Sequence, residues 1–334
     1  MKKNKTLSSL GEFGLINFIK KNNTHAQKYH NVCVDIGDDC FCFQSGINSK
    51  YLVTTDILIE NTHFNRQWST PEQIGMKAVE VNVSDIASMG AAKPLFIFIS
   101  LGVPKNIEES YVKRLFKSIK TACKKYGIHI SGGDTVSSDY ITVSITIIGI
   151  SLGKVVTRNK AVNNDLICVT GTFGDSGAGL DILLQNGNKR NLKKFEKNLI
   201  EKHLLPQARI ETANLIAENI NVTAMTDSSD GLFKSIELLT VDNNKGAFID
   251  IEKIPVSDSL RKFTNNNIKN MYDYALFGAE EFELVFTINP KDKEKLQKLA
   301  PQVSYIGTVN KKNGVEYFEN GKKQKIKYGG FKHF

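Results

Sequence analysis

The sequence predicts an α/β (α+β) protein built from two domains. The chain has 334 residues, roughly two domains of ordinary size, and 41% of its residues are apolar. Segments with the periodicity of strands alternate with helical segments in both halves, as in layered α/β folds. A polar stretch from Ser151 to Asp165 separates the halves. We therefore predict one domain over residues 1–153 and a second over residues 154–334.

The distribution of charge argues against a nucleic-acid-binding protein. The formal net charge is +9, but most of the surplus lies in Lys2 to Lys5 and in the lysine-rich segment Lys311 to Phe334. The rest of the chain has no basic stripe with interleaved aromatic residues, which nucleic-acid binding requires. We expect no nucleic-acid partner.

The cysteines and the apolar segments predict a cytoplasmic protein with no membrane partner. The five cysteines lack the spacing of disulfide frameworks and of zinc sites, and Cys40 and Cys42 fit best as neighbours on one face of a strand. The N-terminus lacks the apolar core of a signal peptide. The longest apolar stretch, Leu95 to Val103, is about half the length that crosses a bilayer.

Two apolar runs near the start of the chain predict strands that end in acidic residues. The first run covers Val32 to Ile36 and is followed by Asp38 and Asp39. The second covers Tyr51 to Thr55 and ends at Asp56. Both runs are rich in strand-forming residues and are bounded by polar ones.

A helix with clear start and stop signals follows. Thr70 is a candidate N-cap that forms a capping box with Gln73, and Pro71 fits the first helical position. Gly90 suits the C-terminal stop. The inward stripe of this helix consists of Ile74, Ala78, Val81 and Asp85. A carboxylate therefore stands where an apolar residue is expected.

The remainder of the first half alternates between helix and strand. Glu108 to Tyr126 predicts an amphipathic helix that stops at Gly127. Its apolar side carries Val112, Leu115, Phe116, Ile119 and Cys123. A strand at Ile128 to Ile130 leads into the turn Gly132 to Thr135, and Tyr140 to Ile150 alternates apolar and polar residues as a long strand does.

The second half repeats this alternation. We predict four strands, at Leu166 to Thr170, Val222 to Thr226, Phe282 to Ile288 and Val303 to Val309. We also predict a helix that runs through Leu184, a helix over Gln207 to Glu218 and a helix near Lys291 to Leu299. The glycines from Gly171 to Gly177 open a helix after a strand, but their spacing differs from the dinucleotide-binding fingerprint. We assign them to close packing of the turn against neighbouring elements.

Acidic residues in these turns form the candidate site. Taken singly, each is explained by turn or cap formation. As a set they are predicted at the carboxyl ends of strands, where open α/β sheets bind ligands. The set is Asp38, Asp39, Asp56, Asp134, Asp227 and Asp230. Asp85 joins them from the buried stripe of its helix.

Carboxylates that converge in this way cannot all stay ionised without a counter-charge. Hard oxygen ligands with few Cys or His residues favour Mg²⁺ or Mn²⁺. Mg²⁺ held by a few carboxylates usually shares phosphate oxygens as well, so the set indicates phosphoryl chemistry with a nucleotide. The chain has neither the P-loop pattern nor the protein-kinase catalytic-loop pattern.

The chain resembles the thiamine-monophosphate kinase family along almost its whole length. The matching motifs, in the family's order, are Gly11-Glu12-Phe13, Gly37-Asp38-Asp39, Thr54-Thr55-Asp56, His63-Phe64, Asn82 to Ala91, Gly132 to Thr135, Val169 to Gly171, Asp227 to Leu232 and Glu280 to Leu284. The sequence departs from the family at Ala279, Glu281 and Phe282, where Gly, Asp and Tyr are common, and at Phe331, which is often Tyr.

The resemblance implies ATP-dependent phosphorylation of thiamine monophosphate to thiamine diphosphate, with several Mg²⁺ ions. It also implies the two-domain fold shared with aminoimidazole ribonucleotide synthetase, in which N-terminal strands of two subunits form a barrel in a homodimer. The first domain would then bind ATP and Mg²⁺ and dimerise, and the second would complete the active site.

The resemblance implies roles for individual residues. Metal ligands are implied at Asp39, Thr54, Thr55, Asp56, Asp85, Asp134, Asp227 and Asp230. ATP contacts are implied at Asp39, Gly133, Asp134, Arg158 and Ser229, and catalytic roles at Asp134, Arg158 and Asp230. Substrate contacts are implied at His63, Glu280 and Phe331. The structural alternatives are a hydrogen-bonded loop histidine for His63, a solvated Arg158, a strand brace for Glu280 and a core aromatic for Phe331.

Two rival functions predict other sequence features. A sister enzyme of the selenophosphate synthetase kind would carry a reactive cysteine in an N-terminal glycine-rich segment, and the hydrogenase-maturation relative would end in a cysteine-containing tail. Neither pattern occurs in the sequence. A non-catalytic protein that binds nucleotide or thiamine phosphate would have no need to keep every acid at the metal positions.

Overall fold

Two mixed β-sheets organise the structure, a computed structural model that describes residues 7–22, 31–47, 49–186 and 191–326, with the backbone alone at 7–13 and 186. The strands of the first sheet are β1 (Val32–Val34), β2 (Phe41–Ser45), β3 (Ser49–Ile59), β4 (Ala92–Val103), β5 (His129–Ser137) and β6 (Thr142–Ser151). They lie in the order β1-β2-β3-β6-β4-β5. Only β4 and β5 are parallel neighbours, and β5 forms one edge.

Helices cover one face of this sheet. They are α2 (Pro71–Ser88) and α3 (Glu109–Tyr126), and a further helix, α1 (Leu7–Asn22), precedes the sheet in the chain. The capping box of Thr70 and Gln73 starts α2, and Gly127 ends α3 in the left-handed conformation. The two helices touch closely, because a Cβ on Gly75 would lie 2.6 Å from the Leu115 carbonyl oxygen. They pack on the sheet through a common core that includes Ile145.

The opposite face of the first sheet is exposed. Five large apolar side chains on this face are 38–55% exposed: Phe41, Ile57, Phe96, Phe98 and Val136. Side chains alternate along each strand, so these residues point away from the helices while neighbours such as Ile97 and Ile145 are buried beneath them. We call the surface formed by the five residues the open face.

The second sheet has seven strands. They are β7 (Leu166–Val169), β8 (Val222–Asp227), β9 (Gly246–Asp250), β10 (Leu284–Ile288), β11 (Ser304–Asn310), β12 (Gly314–Glu319) and β13 (Lys322–Gln324). Their order is β13-β12-β9-β11-β7-β10-β8. The accompanying helices are α4 (Asp175–Asn186), α5 (Lys194–Leu204), α6 (Ile210–Asn219), α7 (Leu232–Leu239), α8 (Asp258–Phe263), α9 (Ile268–Phe277) and α10 (Lys293–Leu299).

Helix α2 lies between the two sheets. Its buried residues share one hydrophobic core with Met225 and Phe286 of the second sheet, and Glu80 on this helix accepts a hydrogen bond of 2.7 Å from the Ala208 amide. A second core fills the other face of the second sheet, where Val169 and Ile236 are buried. The last turn of α2 is therefore held at the junction of the two halves.

Most predicted elements are confirmed, but two strand ends were wrong. Asp56 and Asp134 lie inside β3 and β5, not at their carboxyl ends. Pairing with β6 continues through Ile59, and pairing of β5 with β4 continues through Ser137. Phe116 was also placed wrongly, because it is 47% exposed rather than packed under α3.

The glycines after β7 are confirmed as packing residues. A Cβ on Gly171 would lie 2.1 Å from Glu283 Oε1, and one on Gly179 would lie 2.2 Å from the Leu199 carbonyl oxygen. The domain boundary between residues 153 and 154 stays a prediction. In the ranges that the structure describes, no helix has both the length and the apolar character needed to span a membrane.

Candidate active site

Three aspartates from different elements converge at the junction of the sheets. Asp39 follows β1, Asp85 is on the last turn of α2 and Asp227 ends β8. Carboxylate oxygens of all three lie within 4.8 Å of one another. We call these residues the acidic cluster.

Neighbouring hydroxyl groups hold each carboxylate of the acidic cluster in place. The Thr54 hydroxyl on β3 donates a hydrogen bond to Asp85, and Ser84 donates one of 2.5 Å to Asp227 Oδ2. Ser84 and Asp85 are consecutive on α2, so this helix links the carboxylates of both sheets. Thr226 donates a hydrogen bond of 3.0 Å to Asp39 Oδ1.

The electrostatics of the acidic cluster favour binding of a cation. Burial, reinforced by the charges of Asp56 and Asp227, raises the pKa of Asp85 well above its usual range. Burial and the charge of Asp39 raise the pKa of Asp227 to about 8. Asp39 Oδ2 is buried and has no hydrogen-bond partner among the residues that the structure describes. A hard divalent cation fits this site, because it would stabilise the ionised oxygens and provide the missing partner.

Three further aspartates surround the acidic cluster. Burial and the charge of Asp230 raise the pKa of Asp56 to about 6, and burial with the charge of Asp39 raises the pKa of Asp38 to about 7. Asp38, Asp56 and Asp230 line a cavity of about 420 Å³ together with the cluster. The predicted convergence is therefore confirmed for every acid of the set except Asp134, which does not line this cavity.

Arg158 and Ser229 lie on the rim of this cavity. The Arg158 guanidinium approaches Asp39 Oδ1 at 3.7 Å, and its Nε donates a hydrogen bond of 2.8 Å to the Gly37 carbonyl. Ser229 is exposed and lines the same cavity. Both side chains can reach a ligand that enters from solvent.

Asp134 lies away from the acidic cluster, whereas Thr55 lines the cavity of about 420 Å³ although its hydroxyl is on the open face. Asp56, Ile145, Ile99 and Gly133 are cross-strand partners in one row, so Gly133 lies about 14 Å from Asp56, three strand spacings across the sheet. Asp134 is exposed and alternates onto the open face. The Thr55 hydroxyl is on that face too, where it accepts a hydrogen bond of 3.0 Å from Thr146.

A larger cavity of about 830 Å³ adjoins the acidic cluster and is lined by Asp85, His63 and Glu280. His63 Nδ1 accepts a hydrogen bond of 3.1 Å from the Ile59 amide. Glu280 has a left-handed φ of 62°, and its amide bonds to the Ser229 carbonyl at 2.6 Å. The loop before β10 therefore directs the Glu280 carboxylate into the cavity.

Two buried basic residues that the sequence analysis missed hold Glu280. Lys77 Nζ lies 2.7 Å from Glu280 Oε1, and His203 Nδ1 lies 3.4 Å from Oε2. Burial opposes ionisation of Glu280, but the charge and the hydrogen bond of Lys77, together with the neighbouring histidines, outweigh it and lower the pKa of this carboxyl. Lys77 falls three residues after Ile74 on the inward stripe of α2. This spacing predicts from sequence that the lysine is on the buried side of the helix.

The residues at which the chain departs from the family pattern have structural contacts. Glu281 Oε1 accepts hydrogen bonds from the amides of Gly174 at 2.7 Å and Ser176 at 3.0 Å, so it binds the start of α4. Phe282 is 6% exposed and Ala279 lines the larger cavity. Phe331 lies outside the described residues.

Comparisons with known proteins agree with this geometry. A family model described as AIR synthase related protein, N-terminal domain, matches residues 37–151, and the corresponding C-terminal domain model matches residues 163–319. The thiamine-monophosphate kinase of Aquifex aeolicus is 39% identical, over 98% of this chain and 99% of the relative. The Bacillus subtilis enzyme of the same name is 34% identical, over 91% and 92%.

The fold is similar to that of a solved structure, AaThiL complexed with AMPPCP and TMP. That structure superposes with a TM-score of 0.86 at 36% identity, over 100% of both chains.

Proposed function

The chain belongs to the thiamine-monophosphate kinase family, and from that premise we propose that it phosphorylates thiamine monophosphate with ATP to give thiamine diphosphate and ADP. The observation that carries this proposal is the acidic cluster, which unites carboxylates from both sheets beside a cavity of about 830 Å³. A related structure contains AMPPCP, an ATP analogue, and TMP.

The reaction is a direct transfer of the γ-phosphoryl group. An oxygen of the thiamine monophosphate phosphate attacks the γ-phosphorus of ATP, and the bond from this phosphorus to the β–γ bridging oxygen breaks. The attacking oxygen is already anionic at neutral pH, so the protein needs no strong general base. Its side chains contribute by positioning the two reactants and by balancing their charge.

The acidic cluster fits Mg²⁺, with Thr54, Asp56 and Asp230 as further residues at the site. Mg²⁺ bound by Asp39, Asp85 and Asp227 would neutralise phosphate charge and allow two anions to approach each other. Arg158 on the rim would contact the phosphates of ATP, and Ser229 would donate a hydrogen bond to them.

Substrate contacts are proposed in the larger cavity. Glu280, held by Lys77 and His203, presents its carboxylate to the substrate, and His63 lies on the same wall. Phe331 keeps its predicted role as a stacking residue. The imidazole of His63 is oriented by the Ile59 amide, which donates a hydrogen bond to its Nδ1.

We also infer a homodimer that joins two open faces. The five apolar side chains of the open face form a surface that solvent disfavours, and such a surface is typical of an interface. Asp134 and Thr55 lie on this face, about 16 Å apart, because three strand spacings and two residues along the strand separate them. Asp134 would reach the site of the other subunit, next to its Thr55, whereas it cannot reach the acidic cluster of its own chain.

Mixing two inactive variants tests this arrangement. One chain carries Asp134→Asn and the other carries Asp85→Asn. If Asp134 acts across the dimer, mixed dimers contain one complete site, and a random mixture regains about one quarter of the parent activity. If Asp134 acts within its own chain, the mixture stays inactive.

A product assay tests the reaction itself. Purified protein is given ATP with thiamine monophosphate, thiamine or an aminoimidazole-type acceptor in parallel, with MgCl₂ or with excess chelator. We expect thiamine diphosphate only from thiamine monophosphate and only with Mg²⁺. Equal turnover in chelator would contradict the metal proposal, and preference for another acceptor would favour the sister-enzyme function.

A cytoplasmic location completes the proposal. All five cysteines are free thiols, and Cys33 alone among them is exposed. A reducing compartment suits such a set.

A further inference from the structure

The larger cavity has a second wall that the proposed mechanism does not use. Helices α4 and α9 form this wall, which includes Asp181, Tyr274 and Phe277. The two helices meet closely, because a Cβ on Gly177 would lie 2.9 Å from Gly278 Cα and 3.6 Å from Tyr274 Cδ1. This close packing places the Tyr274 ring directly against α4.

Tyr274 and Asp181 fix each other. The Tyr274 hydroxyl donates a hydrogen bond of 2.5 Å to Asp181 Oδ2, and the Tyr274 ring meets Phe263 edge-on at 5.8 Å. Burial and the bond to Asp181 raise the pKa of Tyr274, so the hydroxyl stays a donor. Asp181 falls one turn after Gly177 on α4, which explains why its carboxylate reaches this ring.

No ion pair among the described residues involves Asp181, which keeps its charge on the cavity wall. Glu280 on the same cavity, by contrast, is paired with Lys77 at 2.7 Å. A carboxylate on the same cavity wall as the aromatic side chains of Tyr274 and Phe277 is complementary to a flat, positively charged ring. Thiamine monophosphate carries such a ring, the thiazolium, in addition to its phosphate.

We propose that Asp181, oriented by Tyr274, is a specificity-determining residue that binds the cationic heteroaromatic part of thiamine monophosphate. This inference rests on the proposed function and deepens it. The acidic cluster lies at the phosphate end of the substrate, and the wall of α4 and α9 binds the positively charged thiazolium ring. The two ends of the substrate have opposite charge, so this division also fixes the direction in which the substrate lies.

The first experiment replaces Asp181 by asparagine, which keeps the shape and the acceptor for Tyr274 but removes the charge. We expect the KM for thiamine monophosphate to rise about tenfold, with kcat and the KM for ATP changed by less than about threefold. Tyr274→Phe should give a smaller rise, because the carboxylate loses its support but keeps its charge. Asp258→Asn, an exposed change on α8, is the matched control and should leave all constants unchanged.

The second experiment changes the charge of the ligand. Competitive inhibition constants are measured for unphosphorylated thiamine and for an analogue whose thiazolium is replaced by an uncharged ring of the same size. The parent protein should bind the cationic form at least about tenfold more tightly, and Asp181→Asn should lose most of this preference. Equal preference in both proteins would overturn the inference, because a purely structural role cannot sense the charge of the ring.

The two levels of the proposal fail in different ways. If the proposed function is wrong, the unmodified protein makes no thiamine diphosphate. If only the role of Asp181 is wrong, the unmodified protein is active and Asp181→Asn has the parent KM and the parent preference for the cation.

Discussion

Replacing Asp85 by asparagine should stabilise the metal-free protein and abolish its activity. Asp85 lies at the centre of the acidic cluster, where it contributes one of three carboxylates within 4.8 Å of one another. Asparagine has the same shape and can still accept the hydrogen bond of Thr54. The substitution therefore removes charge and little else.

The size of the gain follows from the repulsion inside the cluster. Two ionised carboxylates 4.8 Å apart repel each other by about 3.5 kcal/mol at an effective dielectric constant of about 20. The raised pKa values indicate that protonation of the carboxylates removes part of this repulsion. We therefore expect a smaller net gain in the free energy of unfolding, about 1–3 kcal/mol.

The gain in the free energy of unfolding of Asp85→Asn should increase as the pH rises. A carboxyl group whose pKa is raised by folding contributes stability below its ordinary pKa, and this contribution is lost as the pH rises through the folded value. The cluster is therefore most destabilising near pH 8, where the pKa of Asp227 lies. Asp85→Asn should exceed the parent in stability at pH 8 and equal it near pH 4.

Urea unfolding in excess chelator measures this difference, with Asp242→Asn as an exposed control. Repeating the titration in MgCl₂ should stabilise the parent and leave Asp85→Asn unchanged, because the variant has lost a ligand. The product assay should show a loss of activity by orders of magnitude. An Asp85→Asn protein that is less stable than the parent in chelator, or that keeps normal turnover, would refute the reasoning.

Two further predictions concern buried and exposed parts of the fold. Burial, with the charge of Lys77, lowers the pKa of His203 from 6.5 to about 4, so the neutral ring contributes stability above pH 6.5 that is lost as the pH falls towards 4. Between pH 7.5 and pH 5, the free energy of unfolding measured in urea should fall by about 2 kcal/mol more for the parent than for His203→Gln. An equal fall in both proteins would contradict the burial of His203. On the open face, Phe98→Glu should give monomers in sedimentation and little activity, whereas Phe116→Glu on α3 should keep the dimer; a dimeric, active Phe98→Glu would exclude this interface.

The local elements of the fold could be predicted because their signals are local. The capping box at Thr70, the stop at Gly127 and the alternation along β6 each depend on residues a few positions apart. The convergence of the acids other than Asp134 also followed from sequence, since Asp85 interrupts an apolar stripe. Strand length did not follow, because pairing across the sheet carries β3 and β5 past Asp56 and Asp134.

The second wall of the larger cavity could not be predicted for a related reason. Asp181 and Tyr274 are 93 positions apart, and each has the ordinary appearance of a polar residue on an amphipathic helix. The close approach of Gly177 to Gly278 and the packing of the helices bring them together. Lys77 is different, because a lysine on the buried side of a helix indicates from sequence alone that a partner of opposite charge lies nearby.

The position of α2 has a consequence for any attempt to divide the protein. Asp39 and Asp85 belong to the amino-terminal portion and Asp227 to the carboxy-terminal portion, so neither fragment alone would contain the complete set of three carboxylates. By thermodynamic linkage, an ion that requires all three also tightens the association of the two portions. Separately produced fragments should then bind each other with higher affinity when magnesium is supplied, and removing the metal should weaken their association again.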